Sequence, residues 1–375
     1  MKTFGIDASS ANKKEKTGVE WHAYHVIQHL KQIALAEDER VVLYSPTPLE
    51  GELATLPKGW SSSVLKWNFT RGWMQGRVSW EMLRRPPSVL YVPAQGLPRI
   101  TPKATITTIH DLGFRRFPQY YDGKTRSTLL KTTARAVRKA RTLLTVSEFT
   151  KREIMELYRV PAERIVVAPN AADAKTCRAS TPEMVDATLR KHRLSKHFFL
   201  YVGRLESKKN VQMIIRAFEL FRSTRGVGDP FELVLVGKPG FGAGEIKTFF
   251  ERSSQREAIK VLGYLPEEEV FDLMHACRGY LFPSWYEGFG IPNLEAMACG
   301  VSLITSDIPP HREVAGEAAL FANPAETEDW VRAMQRLVEE RGLREDLVAK
   351  GAQNIKRYAW KSTAEMILQT FRSLV

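Results

Sequence analysis

Short apolar runs alternate along the chain with amphipathic segments of helical spacing. Runs such as residues 198–202, 233–236 and 279–282 are rich in Val, Leu, Phe and Tyr and stop at Gly or Pro, as buried parallel strands do. From Gly18 onward, apolar residues recur every three or four positions, which predicts an amphipathic helix. Strands that alternate with helices in this way predict an α/β fold with parallel sheets.

The length of the chain predicts two domains. It has 375 residues, of which 43% are hydrophobic, enough for two globular units of ordinary size. Apolar periodicity weakens over a mixed polar stretch at about 173–195, and a new buried strand pattern starts at Phe198. We therefore expect a first domain over residues 1–173 and a second from residue 195.

Positive charge is concentrated in the first half of the chain. Of the formal net charge of +13, nearly all lies before residue 173, and residues 51–150 contain 17 basic and 5 acidic side chains. Such asymmetry indicates an anionic partner, either a membrane surface, a phosphate-bearing acceptor or a nucleic acid, unless the basic face is merely solvated. Residues 58–80 interleave tryptophans with basic residues; nucleobase stacking, packing and membrane contact all fit, and we prefer membrane contact.

Three widely spaced cysteines, Cys177, Cys277 and Cys299, argue against a disulfide framework and against a zinc site. The chain begins directly with a strand pattern rather than an apolar signal segment, and no run reaches the length of a membrane span. We therefore expect a cytoplasmic protein.

The most informative stretch is residues 284–300. A strand ends at Pro283. The loop that follows contains Glu287, Gly288 and Gly290, and Pro292 suits the first turn of a short helix. The N-terminus of that helix can receive an anion. A carboxylate repels phosphate, so we expect Glu287 and Glu295 to accept hydrogen bonds from hydroxyl groups, as in a site for a nucleotide sugar.

Two other strand ends contain candidate chemistry. Arg204 and Lys209 follow the strand at 198–202 and can converge on one diphosphate. His110 follows the strand at 105–109, at an edge where ligands of α/β sheets bind. A third strand end, the Gly-rich loop 238–244, could be a phosphate or sugar loop, but it is neither G-x-G-x-x-G nor a P-loop.

Together these segments resemble the retaining glycosyltransferases of family 4. The spacing of Glu287 and Glu295 resembles the E-x7-E motif, residues 203–210 the G-R-L segment, and His110-Asp111-Leu112 with Phe117-Pro118 the HDL…FP segment of mannosyltransferase-like members. The resemblance implies a GT-B fold, with two Rossmann-like doubly wound domains facing across a cleft. It also implies that the first domain binds the acceptor, that residues 195–358 bind the donor, and that a helix at 359–375 crosses back to the first domain.

The resemblance also assigns the site. His110, Glu287, Arg204 and Lys209 are the expected catalytic residues. Glu287 would hold the donor sugar and Glu295 the ribose, while the segment at 261–266 would read the base through its backbone. The expected donor-binding residues are Gly18, Gly203, Arg204, Lys209, Gly263, Tyr264, Glu287, Gly288, Phe289, Gly290, Ile291, Leu294 and Glu295.

The expected reaction moves a hexose from a nucleotide sugar to a glycan or lipid-linked acceptor in cell-surface polysaccharide synthesis. Mannose from GDP-mannose is the preferred donor, on the resemblance around His110. The sequence contains no Asp-x-Asp pair, so we expect neither a catalytic metal nor a cofactor. The expected partners include an anionic membrane contacted through residues 51–150, but no nucleic acid.

Three alternatives stay open. A GT-B sugar-nucleotide epimerase would share the fold and the nucleotide site but would not need a basic, aromatic face. A basic nucleic-acid-binding protein would explain the charge but not Glu287, Glu295, Arg204 and Lys209. His22, His25 and His29, at helical spacing, could bind a metal, although packing on a helix face is the preferred explanation.

Overall fold

The computed structural model describes residues 1–69, 71–172, 177–226 and 228–375. These residues form two units. The first contains residues 1–116, 123–170 and 359–375, and the second contains residues 117–122 and 171–358. Residue 173, the predicted end of the first domain, lies outside the described residues. The short segment at 117–122 was expected in the first domain, but it belongs to the second unit.

Strands and helices alternate in both units, as the hydrophobic pattern predicts. The strands are β1 Lys2–Asp7, β2 Glu39–Ser45, β3 Trp60–Val64, β4 Val89–Val92, β5 Thr105–Ile109, β6 Thr142–Thr145, β7 Ile165–Val167, β8 Phe198–Val202, β9 Glu232–Val236, β10 Ile259–Gly263, β11 Gly279–Phe282, β12 Leu303–Ser306 and β13 Ala319–Ala322. The helices are α1 Gly18–Leu30, α2 Ser79–Arg84, α3 Gly113–Arg116, α4 Gly123–Lys139, α5 Glu148–Tyr158, α6 Pro182–His192, α7 Val211–Arg225, α8 Ala243–Glu251, α9 Glu267–Ala276, α10 Ile291–Ala298, α11 Pro309–Ala315, α12 Thr327–Glu339, α13 Leu343–Asn354 and α14 Trp360–Arg372.

The described strands of the first unit form one parallel sheet in the order β3-β2-β1-β4-β5-β6-β7. Its central strands β4, β5 and β6 are buried at every position, which is why they read as continuous apolar and Thr-rich runs. The strand order reverses direction at β1, so the carboxyl ends of β1 and β4 flank a crevice of the kind that binds ligands in open α/β sheets.

The C-terminal helix α14 is part of the first unit. The ring of Phe371 lies 5.4 Å from the ring of Phe4 on β1. The Arg372 guanidinium donates two hydrogen bonds of 2.8 Å to the carboxylate of Glu39, a side chain that is almost fully buried. Thr363 donates to the carbonyl of Pro169. Apolar packing and one buried ion pair therefore hold this helix in the first unit.

The second unit contains a parallel sheet with the order β10-β9-β8-β11-β12-β13. Helix α7 packs on α12 over one face of this sheet, and the buried ring of Trp330 belongs to the same core. The loops that follow β8, β9, β10 and β11 lie at the carboxyl edge of the sheet, and they contain most of the predicted site residues.

One local prediction is wrong. Cys177 and Cys299 form a disulfide, with their Cα atoms 5.2 Å apart, although the three widely spaced cysteines argued against a disulfide framework. A pairing that spans 122 residues depends on the tertiary fold, so the spacing in sequence does not reveal it. The polar stretch at 173–195 also contains helix α6, which begins after Thr181, whose side chain accepts from the Met184 amide.

None of the described helices is long and apolar enough to cross a membrane.

Candidate functional site

Helix α10 is positioned by the loop that precedes it. Strand β11 ends at Phe282, and Gly290 takes a φ of +95° directly before the first residue of the helix. A side chain at Gly290 would be strained at this φ, and its Cβ would lie 3.0 Å from the ring of His311. Pro292 occupies the first turn, where its missing N–H is not needed. The predicted strand, glycine loop and helix start are therefore present.

Lys209 and Glu287 meet at this loop. The Lys209 ammonium lies 2.5 Å from Oε1 of Glu287, and both side chains are mostly buried. Burial alone would raise the pKa of Glu287, but the nearby charges of Lys209 and Lys208 outweigh it and lower the pKa to about 2. Glu287 is thus a carboxylate at any physiological pH. Lys209 also lies 5.2 Å from the centre of the Phe282 ring, which restricts the position of its ammonium.

Glu295 has the opposite electrostatic environment. It lies on α10, eight positions after Glu287. Among the described residues, no cation lowers the pKa of Glu295 in the way that Lys209 lowers that of Glu287. Burial, and then the charge of Glu267, raise the pKa of Glu295 to about 7. The two glutamates of the motif therefore have pKa values on opposite sides of their ordinary value of 4.5.

The loops after β8 and β9 are packed against each other through glycine. A Cβ on Gly237 would lie 1.8 Å from the carbonyl oxygen of Gly203, so only glycine permits this approach. The Gly203 amide donates to Val236, and the Leu205 amide to Lys238. Arg204 projects from this packed turn with most of its side chain exposed, 3.7 Å from Glu206. Its guanidinium is available for an anion at the same edge as Lys209.

Three buried polar side chains around the glycine loop were not predicted. Ser284 Oγ, both amide atoms of Asn293 and Nε2 of His311 have no hydrogen-bond partner within the described part of the chain. Nδ1 of His311 lies 2.8 Å from the Thr305 hydroxyl and 3.2 Å from the Ser306 carbonyl. Burial lowers the pKa of His311 to about 4, so the ring is neutral. Its position beyond the motif, after a strand and two prolines, gave no signal in the sequence.

His110 lies at the end of β5 in the first unit. Its Nε2 is 2.8 Å from the carbonyl oxygen of Pro93, which can only accept, so Nε2 has the proton and Nδ1 is an acceptor. Burial lowers the pKa of His110, which keeps the ring neutral near pH 7. The ring also contacts His22 edge to face at 4.8 Å. His22 is in turn fixed by Nδ1, 2.7 Å from the Asn170 amide oxygen.

The other predicted contacts differ in exposure. Tyr264 is 69% exposed, with the Lys238 ammonium 4.6 Å from its ring centre, and Gly263 ends β10 with a φ of +71°. Phe289 and Leu294 are buried, so their side chains pack in the interior. Gly288 is also buried, and Ile291 is the first residue of α10. Gly18 opens α1, as predicted, in the first unit.

The three histidines of α1 pack on α14. The ring of His25 stacks on Trp360 at 4.9 Å, and those of His22 and His29 contact the same indole at 5.9 and 6.3 Å. Packing on a helix face, the preferred explanation, is confirmed. Among the described residues, no three His, Cys, Asp or Glu side chains are grouped so that they could hold a metal ion.

Two family models match the chain. Residues 16–176 match the model described as Glycosyltransferase Family 4, and residues 187–354 match that of Glycosyl transferases group 1. The O-antigen chain mannosyltransferase B of Escherichia coli is 29% identical over 80% of this chain and 77% of its own length. The O-antigen chain mannosyltransferase RfbU of Salmonella typhimurium is 25% identical over 69% of this chain and 67% of its own length.

A solved structure has the same fold at low identity. Sucrose-phosphate synthase from Thermosynechococcus elongatus aligns over 100% of this chain and 99% of its own, with a TM-score of 0.74 and 16% identity. That likeness concerns the fold alone.

Proposed function

We propose a donor, an acceptor class and a reaction course for this chain, which belongs to the glycosyltransferases whose family 4 and group 1 models match residues 16–176 and 187–354. It transfers mannose from GDP-mannose to a glycan or lipid-linked acceptor during synthesis of a cell-surface polysaccharide. The anomeric configuration of the mannose is retained, and no metal ion takes part.

The pair of Lys209 and Glu287 is the observation on which the proposal rests. A diphosphate that reaches the start of α10 finds an ammonium already fixed there, and hydroxyl groups find a permanent carboxylate 2.5 Å from it. A donor that has both a diphosphate and sugar hydroxyls satisfies both partners. A ligand with only one of these groups would engage one member of the ion pair and leave the other with its partner in the protein as its only match.

The leaving group needs positive charge as its bond to the sugar breaks. The bond between the anomeric carbon and the phosphate oxygen breaks, and the acceptor oxygen bonds to that carbon on the same face. The acceptor proton passes to the departing phosphate, which keeps the step balanced. Lys209, Arg204 and the N-terminus of α10 stabilise the negative charge that develops on the diphosphate. The absence of an Asp-x-Asp pair from the sequence supports a reaction that needs no metal.

The choice of mannose rests on two supports. The segment around His110 resembles that of mannosyltransferase-like members, and two relatives are named as O-antigen mannosyltransferases. His110 has an unprotonated Nδ1, which can accept a hydrogen bond from a sugar hydroxyl. We assign it to the donor or acceptor sugar rather than to the diphosphate, because a neutral acceptor nitrogen does not attract phosphate.

A panel of nucleotide sugars tests the donor. The protein is incubated with GDP-mannose, GDP-fucose, UDP-glucose and UDP-N-acetylglucosamine in excess EDTA, and release of free sugar is followed by NMR, which also reports the anomer formed with an acceptor. We expect turnover of GDP-mannose that EDTA does not reduce. Turnover of a UDP-sugar alone would refute the donor, and a strict Mg²⁺ requirement would refute the metal-free course.

Lys209→Ala tests the diphosphate contact. We expect kcat/KM to fall by about two orders of magnitude or more, as for the loss of a contact that stabilises transition-state charge. Lys247→Ala is the matched control, because this exposed lysine of α8 pairs only weakly with Glu251. Equal activity of Lys209→Ala and the control would remove Lys209 from the mechanism.

We also propose that the first unit contacts an anionic membrane surface. Phe69, Trp80 and Leu83 are each more than half exposed, and the Arg84 guanidinium lies 5.7 Å from the Trp80 ring. Rings and cations side by side suit a membrane interface. Trp67 and Trp73 instead donate to backbone carbonyls, so they contribute to structure.

Sedimentation with vesicles tests this contact. We expect binding to vesicles of phosphatidylglycerol and phosphatidylethanolamine, and loss of most of it in Trp80→Ala with Leu83→Ala. Leu220→Ala, an exposed leucine of α7 in the second unit, is the control. Equal sedimentation of the double variant and the control would contradict the assignment.

A further inference from the structure

The second unit contains a cavity of about 690 Å³ between the starts of α7 and α8. Its walls include three aromatic rings and several polar side chains, among them Tyr120, Phe241, Trp285, Gln212, Arg216 and Glu245. Part of the wall is the Gly-rich loop after β9, which the mechanism above does not use.

The cavity is separate from the donor contacts. The described residues that line it do not include Arg204, Lys209, Glu287 or Glu295. Ser207 and Asn210 do line it, so it adjoins the turn in which Lys209 stands. A ligand in the cavity would therefore leave the ammonium of Lys209 and the carboxylate of Glu287 unoccupied.

The chemistry of the walls indicates an uncharged ligand with many hydroxyl groups. Arg216 and Glu245 are the only charged residues among the described ones that line the cavity, and their charges cancel. A phosphate would need a net positive wall. Aromatic faces together with amide, hydroxyl and single charged groups offer both apolar contact and hydrogen bonds in either direction. A cavity of this size lies in the range of small-molecule sites.

Three of the residues that line the cavity have contacts that restrict them. The Tyr120 ring stacks on Phe117 at 5.9 Å with only 12° between the planes, and Phe117 in turn contacts the buried ring of Tyr286. The Trp285 amide donates to the carbonyl of Lys208. Arg216 lies 4.8 Å over Phe249. The Tyr120 ring, held in this way, loses little conformational freedom when a ligand stacks on it.

We propose that this cavity is a second saccharide site, which binds two to three sugar residues of the glycan that the enzyme elongates. The identity of the sugars as mannose rests on the proposed function. The existence of a neutral saccharide site does not rest on the proposed function, because it is inferred from the residues that line the cavity. Binding here would keep the growing glycan on the enzyme between transfers and would raise its effective concentration at the transfer site.

Binding of an α-linked mannotriose, measured by calorimetry and by saturation-transfer NMR, tests the proposal. We expect Phe241→Ala to weaken binding about tenfold, because one of three stacking rings is lost. Phe241 is 44% exposed on a loop, so its loss should not unfold the unit. In a second variant, Glu245→Gln, we also expect weaker binding of the mannotriose. Ile100→Ala, which shortens an exposed apolar side chain of the first unit, should bind as the wild type does.

Three results would overturn the proposal. The first is no binding, or equal affinity in wild type and Phe241→Ala. The second is loss of mannotriose binding in Lys209→Ala or under saturating GDP, which would place the saccharide in the donor site. The third is displacement by inorganic phosphate. Hydrolysis of GDP-mannose by the same preparations separates the two proposals, because it reports on the donor site alone.

Discussion

The environment of Glu295 makes a prediction about stability and pH. Its pKa is raised from 4.5 to about 7, chiefly by burial. Between these two values the folded protein holds a proton that the unfolded chain has released. The free energy of unfolding therefore falls as pH rises from about 4.5 to about 7, and this contribution is constant at higher pH. Glu295→Gln removes the titration and keeps the shape of a protonated carboxyl group.

The magnitude follows from the size of the shift. A difference of about 2.5 pKa units corresponds to at most about 3.5 kcal/mol, at about 1.4 kcal/mol per unit. For a unit of this size, each kcal/mol changes the Tm by about 2 to 4 °C, so Glu295→Gln should gain up to about 7 to 14 °C over wild type at pH 8. At pH 4.5 the two proteins should melt within about 1 °C of each other, because Glu295 is then protonated.

Scanning calorimetry of both proteins at half-unit steps from pH 4.5 to 8.5 gives the difference in Tm directly. The contributions of other titrating groups to the Tm are common to both proteins and cancel in the difference. Glu287, with a pKa of about 2, loses its contribution to stability only below pH 4.5, outside this range. Glu268→Gln is a control, from the exposed face of the first turn of α9. A difference that stays flat across the range, or that has its midpoint below pH 5, would refute this view of Glu295.

Two further predictions concern the rest of the chain. Arg372→Ala should lower the stability of the first unit by about 2 kcal/mol or more, because it leaves the buried carboxylate of Glu39 without its partner. Arg312→Ala, whose partner Asp307 is exposed, is the control. An equal loss of stability in both variants, measured by calorimetry, would contradict the prediction. Reduction with dithiothreitol, or Cys177→Ala, should lower the Tm of the second unit, because the disulfide closes a loop that spans 122 residues. The chain-entropy contribution for such a loop is about 4 to 5 kcal/mol. Cys277→Ala is the control, and an unchanged Tm after reduction or in Cys177→Ala would show that the bond is not formed.

Much of the fold could be predicted because buried strands leave a local signal. β8, β9 and β11 are short apolar runs that stop at Gly or Pro, and α1 has its apolar residues on one face. Helix α6 was missed because few of its residues are buried, so its apolar periodicity is weak. The disulfide and the placement of residues 117–122 in the second unit depend on contacts between distant segments, and these leave no pattern in the sequence.

The site was predictable as a set of residues but not as an arrangement. Glu287 and Lys209 were each expected near the donor, the first for hydroxyl groups and the second for phosphate. Their direct contact was not, since 78 residues separate them. His311 and Asn293 were missed altogether, because a buried histidine or asparagine has no sequence signature until the fold shows that its polar atoms lie unpaired beside a glycine loop.

The two glutamates of the motif differ in charge because of what lies opposite each of them. Lys209 and Lys208 make Glu287 a carboxylate at every physiological pH, whereas Glu295 has only burial and Glu267 near it and titrates close to neutrality. Groups that a fold pushes to opposite pKa values usually have different tasks. A permanent carboxylate beside an ammonium suits the reacting sugar and its leaving group. Without a ligand, the charge of an ionised Glu295 costs stability because the side chain is buried. Under the proposed function, a ribose would donate hydrogen bonds to that carboxylate, and we expect this to offset part of the cost.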